Sequence, residues 1–203
     1  MKIICVARNY ALHAAEMGSS PPAAPVFFLK PSTAWVRGPE VPLPPFGGRL
    51  EYEAELVFRI ARGGSRLSPQ SLTDVVDAIT VGIDFTVRDL QARLKAEGLP
   101  WEMAKAFDNS AWWGLWCPIT PDWESIPFRL FRGDTLLQEG YGKDMIFSVP
   151  ELIAAASRYF TLEPGDVLFT GTPAGVGPVY PGDVLRAFLG ETFVGEVCVV
   201  NAQ

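Results

Sequence analysis

Glu51-Tyr52-Glu53-Ala54-Glu55-Leu56-Val57-Phe58-Arg59-Ile60 alternates with a period of two. Glu51, Glu53 and Glu55 fall on one face, and Tyr52, Ala54, Leu56 and Phe58 on the other. That is the pattern of a strand with one face on a core. The Cα atoms of Glu53 and Glu55 lie roughly 7 Å apart by strand rise, so their side chains project side by side and repel. Two readings follow. The three glutamates form a solvated strand face, or two of them grip a hard divalent cation, Mg²⁺, Mn²⁺ or Ca²⁺, with oxygen ligands.

Upstream, Pro39 to Gly48 is turn-rich, with four prolines and Gly47-Gly48 just before the strand. Residues 2–7 and Val26 to Leu29 read as short apolar strands. Ala11 to Met17 reads as a helical turn or two, ended by Gly18. Downstream, Ser71 to Ile79 is expected to be helical and Thr80 to Phe85 a strand. Thr86 is the expected N-cap of a helix from about Val87 to Glu97, closed by Gly98. The second half is strand-like at Phe128–Phe131, Thr135–Glu139, Val167–Thr170, Val184–Phe188 and Glu196–Val200. Ser148 to Tyr159 reads as a helix with Pro150 in its first turn. With no repeat and no clear linker, residues 1–203 read as a single α+β domain, predominantly β.

Hydrophobic residues make up 48% and charged residues 20%, a balance that supports a packed core. A net charge of −6 argues against nucleic-acid partners. Cys5, Cys117 and Cys198 are odd in number and widely spaced, as for reduced thiols in a cytosol. No apolar run approaches the roughly 20 residues of a membrane span, so the expectation is a soluble, cytoplasmic protein. His13 is the single histidine, which excludes three-histidine zinc sites and two-histidine facial triads within one chain.

Asp84 ends an apolar strand before a helix, and either caps that helix or joins the two glutamates as a third ligand. His13 and Glu16, three apart, share a helical face. They are a surface pair of little consequence, or a carboxylate-oriented general base on a possible lid within residues 1–20. Trp112-Trp113-Gly114-Leu115-Trp116 is core and dimer surface or pocket wall, and the area tryptophans bury favours the structural reading.

Six segments, in order along most of the chain, resemble the motifs of fumarylacetoacetate hydrolase domain proteins. They are Arg8-Asn9-Tyr10-Ala11-x-His13-x-x-Glu16-Met17-Gly18, Phe27-Phe28-Leu29-Lys30-Pro31-Ser32, Tyr52-Glu53-Ala54-Glu55-Leu56, Asp84-Phe85-Thr86-x-Arg88-Asp89-x-Gln91, Gly98-Leu99-Pro100-Trp101-Glu102-x-Ala104-Lys105-x-Phe107-Asp108 and Gly171-Thr172-Pro173-Ala174-Gly175-Val176-Gly177. The resemblance implies a mixed β-roll or sandwich with a few short helices, usually a homodimer. It implies Mg²⁺ or Mn²⁺ on Glu53, Glu55 and Asp84. It assigns His13 and Glu16 to water activation on a lid, Lys105 to developing negative charge, and Arg8, Lys30, Arg88, Gln91 and Thr172 to substrate. Read locally, Lys105 is an exposed helix-end lysine. The glycine-rich loop lacks a P-loop lysine and spacing, and its glycines would let backbone N–H groups approach a carboxylate.

The short N-terminal region is similar to the minimal branch of the family, which resembles acylpyruvate hydrolases and oxaloacetate decarboxylases. The His13–Glu16 pair, suited to water activation, puts acylpyruvate hydrolysis releasing pyruvate first. Oxaloacetate decarboxylation or tautomerisation and isomerisation of a hydroxy-dienedioate use the same platform. A non-catalytic 2-oxo acid or metal-binding protein, or a structural calcium site, is the reading of a different class.

Overall fold

The computed structural model describes residues 1–16, 18, 20–68 and 72–202. A six-stranded sheet runs in the order β2-β1-β11-β5-β6-β8. Its strands are β1 (Ile3–Ala7), β2 (Val26–Lys30), β5 (Ala54–Ile60), β6 (Val76–Asp84), β8 (Ala111–Trp113) and β11 (Val167–Phe169). A five-stranded sheet, β10-β9-β13-β14-β3, packs on one face of it. It contains β3 (Glu40–Pro42), β9 (Pro127–Arg132), β10 (Thr135–Tyr141), β13 (Val184–Leu189) and β14 (Thr192–Val200). A small third sheet joins β4 (Leu50–Tyr52), β7 (Thr86–Val87) and β12 (Gly177–Pro178). The helices are short: α1 (Ala11–Glu16), α2 (Arg88–Ala96), α3 (Glu102–Lys105) and α4 (Val149–Ala156). The protein is therefore mostly β, with curled sheets and a few short helices.

Leu56, Phe58, Val81 and Ile83 of the large sheet meet Leu130, Leu185, Ala187 and Val197 of the five-stranded sheet in one core. Full burial of Leu56 and Phe58, about 1.5–3 kcal/mol each, fixes the register of β5. A slip of one residue would turn the glutamates into that core. On the opposite face of the large sheet, Ile3, Cys5, Val57, Val167 and Phe169 are covered by Trp35, Trp113 and Trp116. The Trp35 and Trp113 rings stack at 4.7 Å, while Trp112 is buried in the main core. None of the tryptophans at 112, 113 and 116 lines the cavity described below. The end of this face not covered by tryptophan carries that cavity.

Three local expectations are corrected. The segment expected to be helical over 71–79 is a single 3₁₀ turn, Leu72–Asp74, followed by strand from Val76; Ser71 lies outside the described residues. Val76 to Asp84 is buried on both faces except at Asp77 and pairs antiparallel with the whole of β5, and that pairing overrides the helical reading. Thr86 does not cap α2. It sits in β7 opposite Glu51, and α2 starts two residues later without a side-chain cap. The strand expected over 51–60 is divided at Glu53, where the chain leaves the small sheet for the large one. The Ala54 N–H freed there donates to Gln138 Oε1 at 2.8 Å. At the other end of α2, Gly98 (φ +68°) closes the helix as expected, with Leu99 N–H donating to Leu94 O at 2.9 Å.

Candidate active site

The break at Glu53 and the β5–β6 register bring three carboxylates together. Glu55 stands opposite Gly82, and Asp84 N–H donates to Glu53 O at 2.8 Å. One oxygen each of Glu53, Glu55 and Asp84 lies within 4.8 Å of the others, and all three residues are buried. Asp84 is thus turned into the cluster and does not cap a helix.

The cations around the triad are buried with it. Lys105 Nζ lies 2.8 Å from Glu53 Oε2 and 2.8 Å from Asp84 Oδ2, and donates to Thr86 Oγ1 at 2.6 Å. It ends α3, as the local reading has it, but packing of α3 against β2 and β7 buries it. Lys30 Nζ lies 2.8 Å from Asp84 Oδ1 and donates to Ser110 O, Ser110 Oγ and Lys105 O. Arg88 Nε donates to Glu51 Oε2 at 2.7 Å, its Nη1 to Gln91 Oε1 at 2.9 Å, and its Nη2 to Glu53 Oε1.

Among the described residues no cation forms an ion pair with Glu55, which accepts one hydrogen bond, from Gly171 N–H at 2.7 Å. Burial, with Asp84 and Glu53 beside it, pushes its carboxyl well above the usual carboxylate range. Burial acts on Glu53 in the same direction, but Lys105 and Arg88 override it and hold that group well below the range. Four buried carboxylates (Glu51, Glu53, Glu55 and Asp84) thus face three buried cations (Lys30, Arg88 and Lys105). Exposed Arg49 adds a fourth cation on Glu51 at 2.9 Å, so Glu55 is the carboxylate with no ion pair among the described residues, at the point where three oxygens converge. This donor set fits a hard divalent cation.

The raised Glu55 value has a consequence for stability. Unfolded, the carboxyl titrates near 4.5; folded, it holds its proton to higher pH. Between those values the unfolded chain binds fewer protons, so stability is lost as pH rises through the window. In urea unfolding from pH 5 to 8 with EDTA, the midpoint is expected to fall with pH. Mg²⁺ is expected to flatten that slope by taking the proton's place, and Glu55→Gln to remove it. A slope unchanged by Glu55→Gln would contradict this assignment.

The cavity above the triad has a volume of about 250 Å³, below the roughly 300–1,000 Å³ of ordinary ligand pockets, and suits a small acid. Arg8, His13, Arg88, Gln91, Lys105 and Thr172 line it with the triad. Gln91 Oε1 accepts from Arg88 Nη1, and Thr172 Oγ1 accepts from Gln138 Nε2 at 2.9 Å. Lys30 is the exception among the expected substrate contacts. Its ammonium is sealed behind Asp84, its side chain has no exposed surface, and it does not line the cavity. Its place is to hold a carboxylate.

His13 is buried rather than a surface residue, and its Nδ1 lies 3.2 Å from Glu16 Oε2. Glu16 also accepts from Gly175 N–H at 3.2 and 3.3 Å, tying α1 to the glycine-rich loop. The loop's N–H groups do meet carboxylates, but those of Glu55 and Glu16. Gly171 (φ +96°) cannot be replaced cheaply, since a Cβ would stand 2.9 Å from Asn9 Cβ. Gln138 carries no mark of a site residue in the sequence. It is buried in β10 and ties Ala54 N–H to Thr172 and to Pro173 O, and no local signal marks a contact across so long a separation. Lys95 and Trp101 also line the cavity. For Lys95 a signal existed: it follows Arg88 and Gln91 on one face of α2.

A family model for the fumarylacetoacetate (FAA) hydrolase C-terminal region matches residues 2–199. The chain belongs to the fumarylacetoacetate hydrolase family. Within that family it is 40% identical over 194 residues to the mitochondrial oxaloacetate tautomerase FAHD1 of Bos taurus, covering 91% of this chain and 85% of the relative. It is 40% identical over 198 residues to the oxaloacetate tautomerase YcgM of Escherichia coli, covering 91% and 86%. Its fold is similar to that of fumarylpyruvate hydrolase from Pseudomonas aeruginosa in complex with Mn²⁺ and pyruvate. The TM-score is 0.88 at 37% identity, over 100% of this chain and 89% of that one. Among the described residues no helix is long and apolar enough to cross a membrane.

Proposed function

We propose that this chain is a Mg²⁺- or Mn²⁺-dependent hydrolase that cleaves acylpyruvate-type 2-oxo acids at a C–C bond and releases pyruvate. The observation that carries this reading is buried His13, held by the exposed Glu16 at its Nδ1, in the same cavity as three convergent carboxylates. A relative bearing Mn²⁺ and pyruvate supports it. A divalent cation on Glu53, Glu55 and Asp84 would supply a Lewis acid for the carboxylate and 2-oxo oxygens of the substrate.

The chain's own groups do the rest. Glu16 holds His13 through Nδ1, which leaves Nε2 to take a proton from water. The water oxygen bonds to the distal carbonyl carbon. The bond from that carbon to C3 of the pyruvate unit then breaks, and its electron pair stays on C3. A proton delivered to C3 completes pyruvate, and the other product is the free carboxylic acid. Lys105, among Glu53, Asp84 and Thr86, stands beside the negative charge that develops.

Tautomerisation of oxaloacetate is the second reading, favoured by relatives of that name at 40% identity. It needs a proton moved between C3 and the 2-oxo oxygen, and no attacking water. Glu16→Ala separates the two. Acylpyruvate cleavage is expected to fall about a hundredfold, with Mg²⁺ binding unchanged and oxaloacetate turnover kept within a few-fold. Unchanged acylpyruvate cleavage would sink the hydrolase reading.

A further inference from the structure

Gln138 reaches from the five-stranded sheet to the site, and its partners fix which way round its amide sits. Its Oε1 accepts from Ala54 N–H at 2.8 Å, and its Nε2 donates to Pro173 O and to Thr172 Oγ1, each at 2.9 Å. A backbone N–H cannot accept and a carbonyl oxygen cannot donate. The amide oxygen therefore faces Ala54, and its nitrogen faces the glycine-rich loop. Toward Gln138, Thr172 Oγ1 is an acceptor, and its own hydrogen must point elsewhere.

Other buried hydroxyls nearby spend that hydrogen inside the protein. Thr170 Oγ1 donates to Leu56 O at 2.8 Å, and Ser110 Oγ to Lys105 O at 3.0 Å. Among the described residues no atom accepts from Thr172 Oγ1, although Thr172 is buried and lines the cavity. A buried donor without a partner is costly, and an anion in the cavity would supply the acceptor.

The strand is shaped to bring Gln138 there. Leu136 pairs with Phe131 and Gln138 with Leu130, so Leu137 is an extra residue in β10. On a regular strand, residues two apart share a face, yet Leu136 is 48% exposed and Gln138 1%. The bulge turns the amide inward, opposite the core residue Leu130. Burial of an amide there is tolerable because its polar atoms are bonded.

We propose that Gln138 is a positioning residue that makes Thr172 an obligate hydrogen-bond donor to an anionic oxygen of the substrate. This rests on the reading above, in which a 2-oxo acid occupies the cavity, and it holds for hydrolysis and tautomerisation alike. Gln138 does not itself line the cavity, so it acts through Thr172.

The test is a double-mutant cycle, read as calorimetric binding of oxalate, an anion with acceptor oxygens, to the Mg²⁺-loaded protein. Thr172→Val is expected to weaken binding about tenfold, and Thr172→Ser, which keeps the hydroxyl, to recover most of that loss. Gln138→Met is expected to weaken binding several-fold by itself but less than about twofold on top of Thr172→Val, because the hydroxyl it acts on is gone. The same factor in both backgrounds would mark Gln138 as merely structural and overturn the proposal. Thr172→Val is isosteric, and it keeps the test decisive if Gln138→Met does not fold. Mg²⁺-dependent binding equal in the wild type and Thr172→Val would overturn the proposal and leave the 2-oxo acid reading standing. No oxalate binding by the wild type would remove that reading, and the proposal with it.

Discussion

Glu55→Gln is expected to lower kcat/KM at least a thousandfold, about 4 kcal/mol in transition-state stabilisation, while leaving the metal-free protein as stable as the wild type or slightly more so. Both halves follow from one asymmetry. Glu53 and Asp84 are each neutralised by a buried cation at 2.8 Å. Among the described residues Glu55 accepts only a backbone N–H, and it is pushed toward its neutral form by burial and by its acidic neighbours. Glutamine resembles that neutral form and can still accept from Gly171, so little is lost in the fold. The third anionic ligand is lost. Turnover with Mg²⁺ and thermal unfolding with EDTA measure the two halves. Retained turnover, or a metal-free protein several kcal/mol less stable, would contradict the account.

Lys30→Met is expected to be the most destabilising change near the site. The side chain is fully buried, and its removal leaves Asp84 with Lys105 as its remaining cation. Deleting one cation of this buried cluster costs about 3–5 kcal/mol, because Glu53 and Asp84 are then left to share Lys105 away from water. For a chain of this size that is a fall in Tm of roughly 10 °C. Lys30→Met combined with Asp84→Asn should recover part of the loss, since Lys105 then serves Glu53 alone. Calorimetry of the single and double variants tests this. A fall of 1–2 °C for Lys30→Met would mean that Lys30 is not an internal counter-ion and reaches the cavity after all.

The site was legible where chemistry coincided with a short period. Glu53 and Glu55 share a strand face because the alternation about Leu56 and Phe58 fixes them there, and His13 with Glu16 obeys helical spacing. What escaped depends on partners distant in sequence. The 71–79 segment reads as helix until β5 is there to pair with it. Lys30 and Lys105 look like exposed ends of short elements, yet they are buried by contacts with each other and with Asp84, 54 and 21 residues away respectively. Gln138 reaches Ala54 from 84 residues away. Such residues take their meaning from the crossing of two sheets, which no local pattern contains.

The most direct measurement is a Mn²⁺ titration followed by electron paramagnetic resonance. One saturable site per chain is expected, abolished by Glu55→Gln and by Asp84→Asn and unaffected by Glu16→Ala. Free Mn²⁺ signal that never diminishes with wild-type protein, or saturable binding that survives both triad substitutions, would show that these carboxylates do not hold a cation.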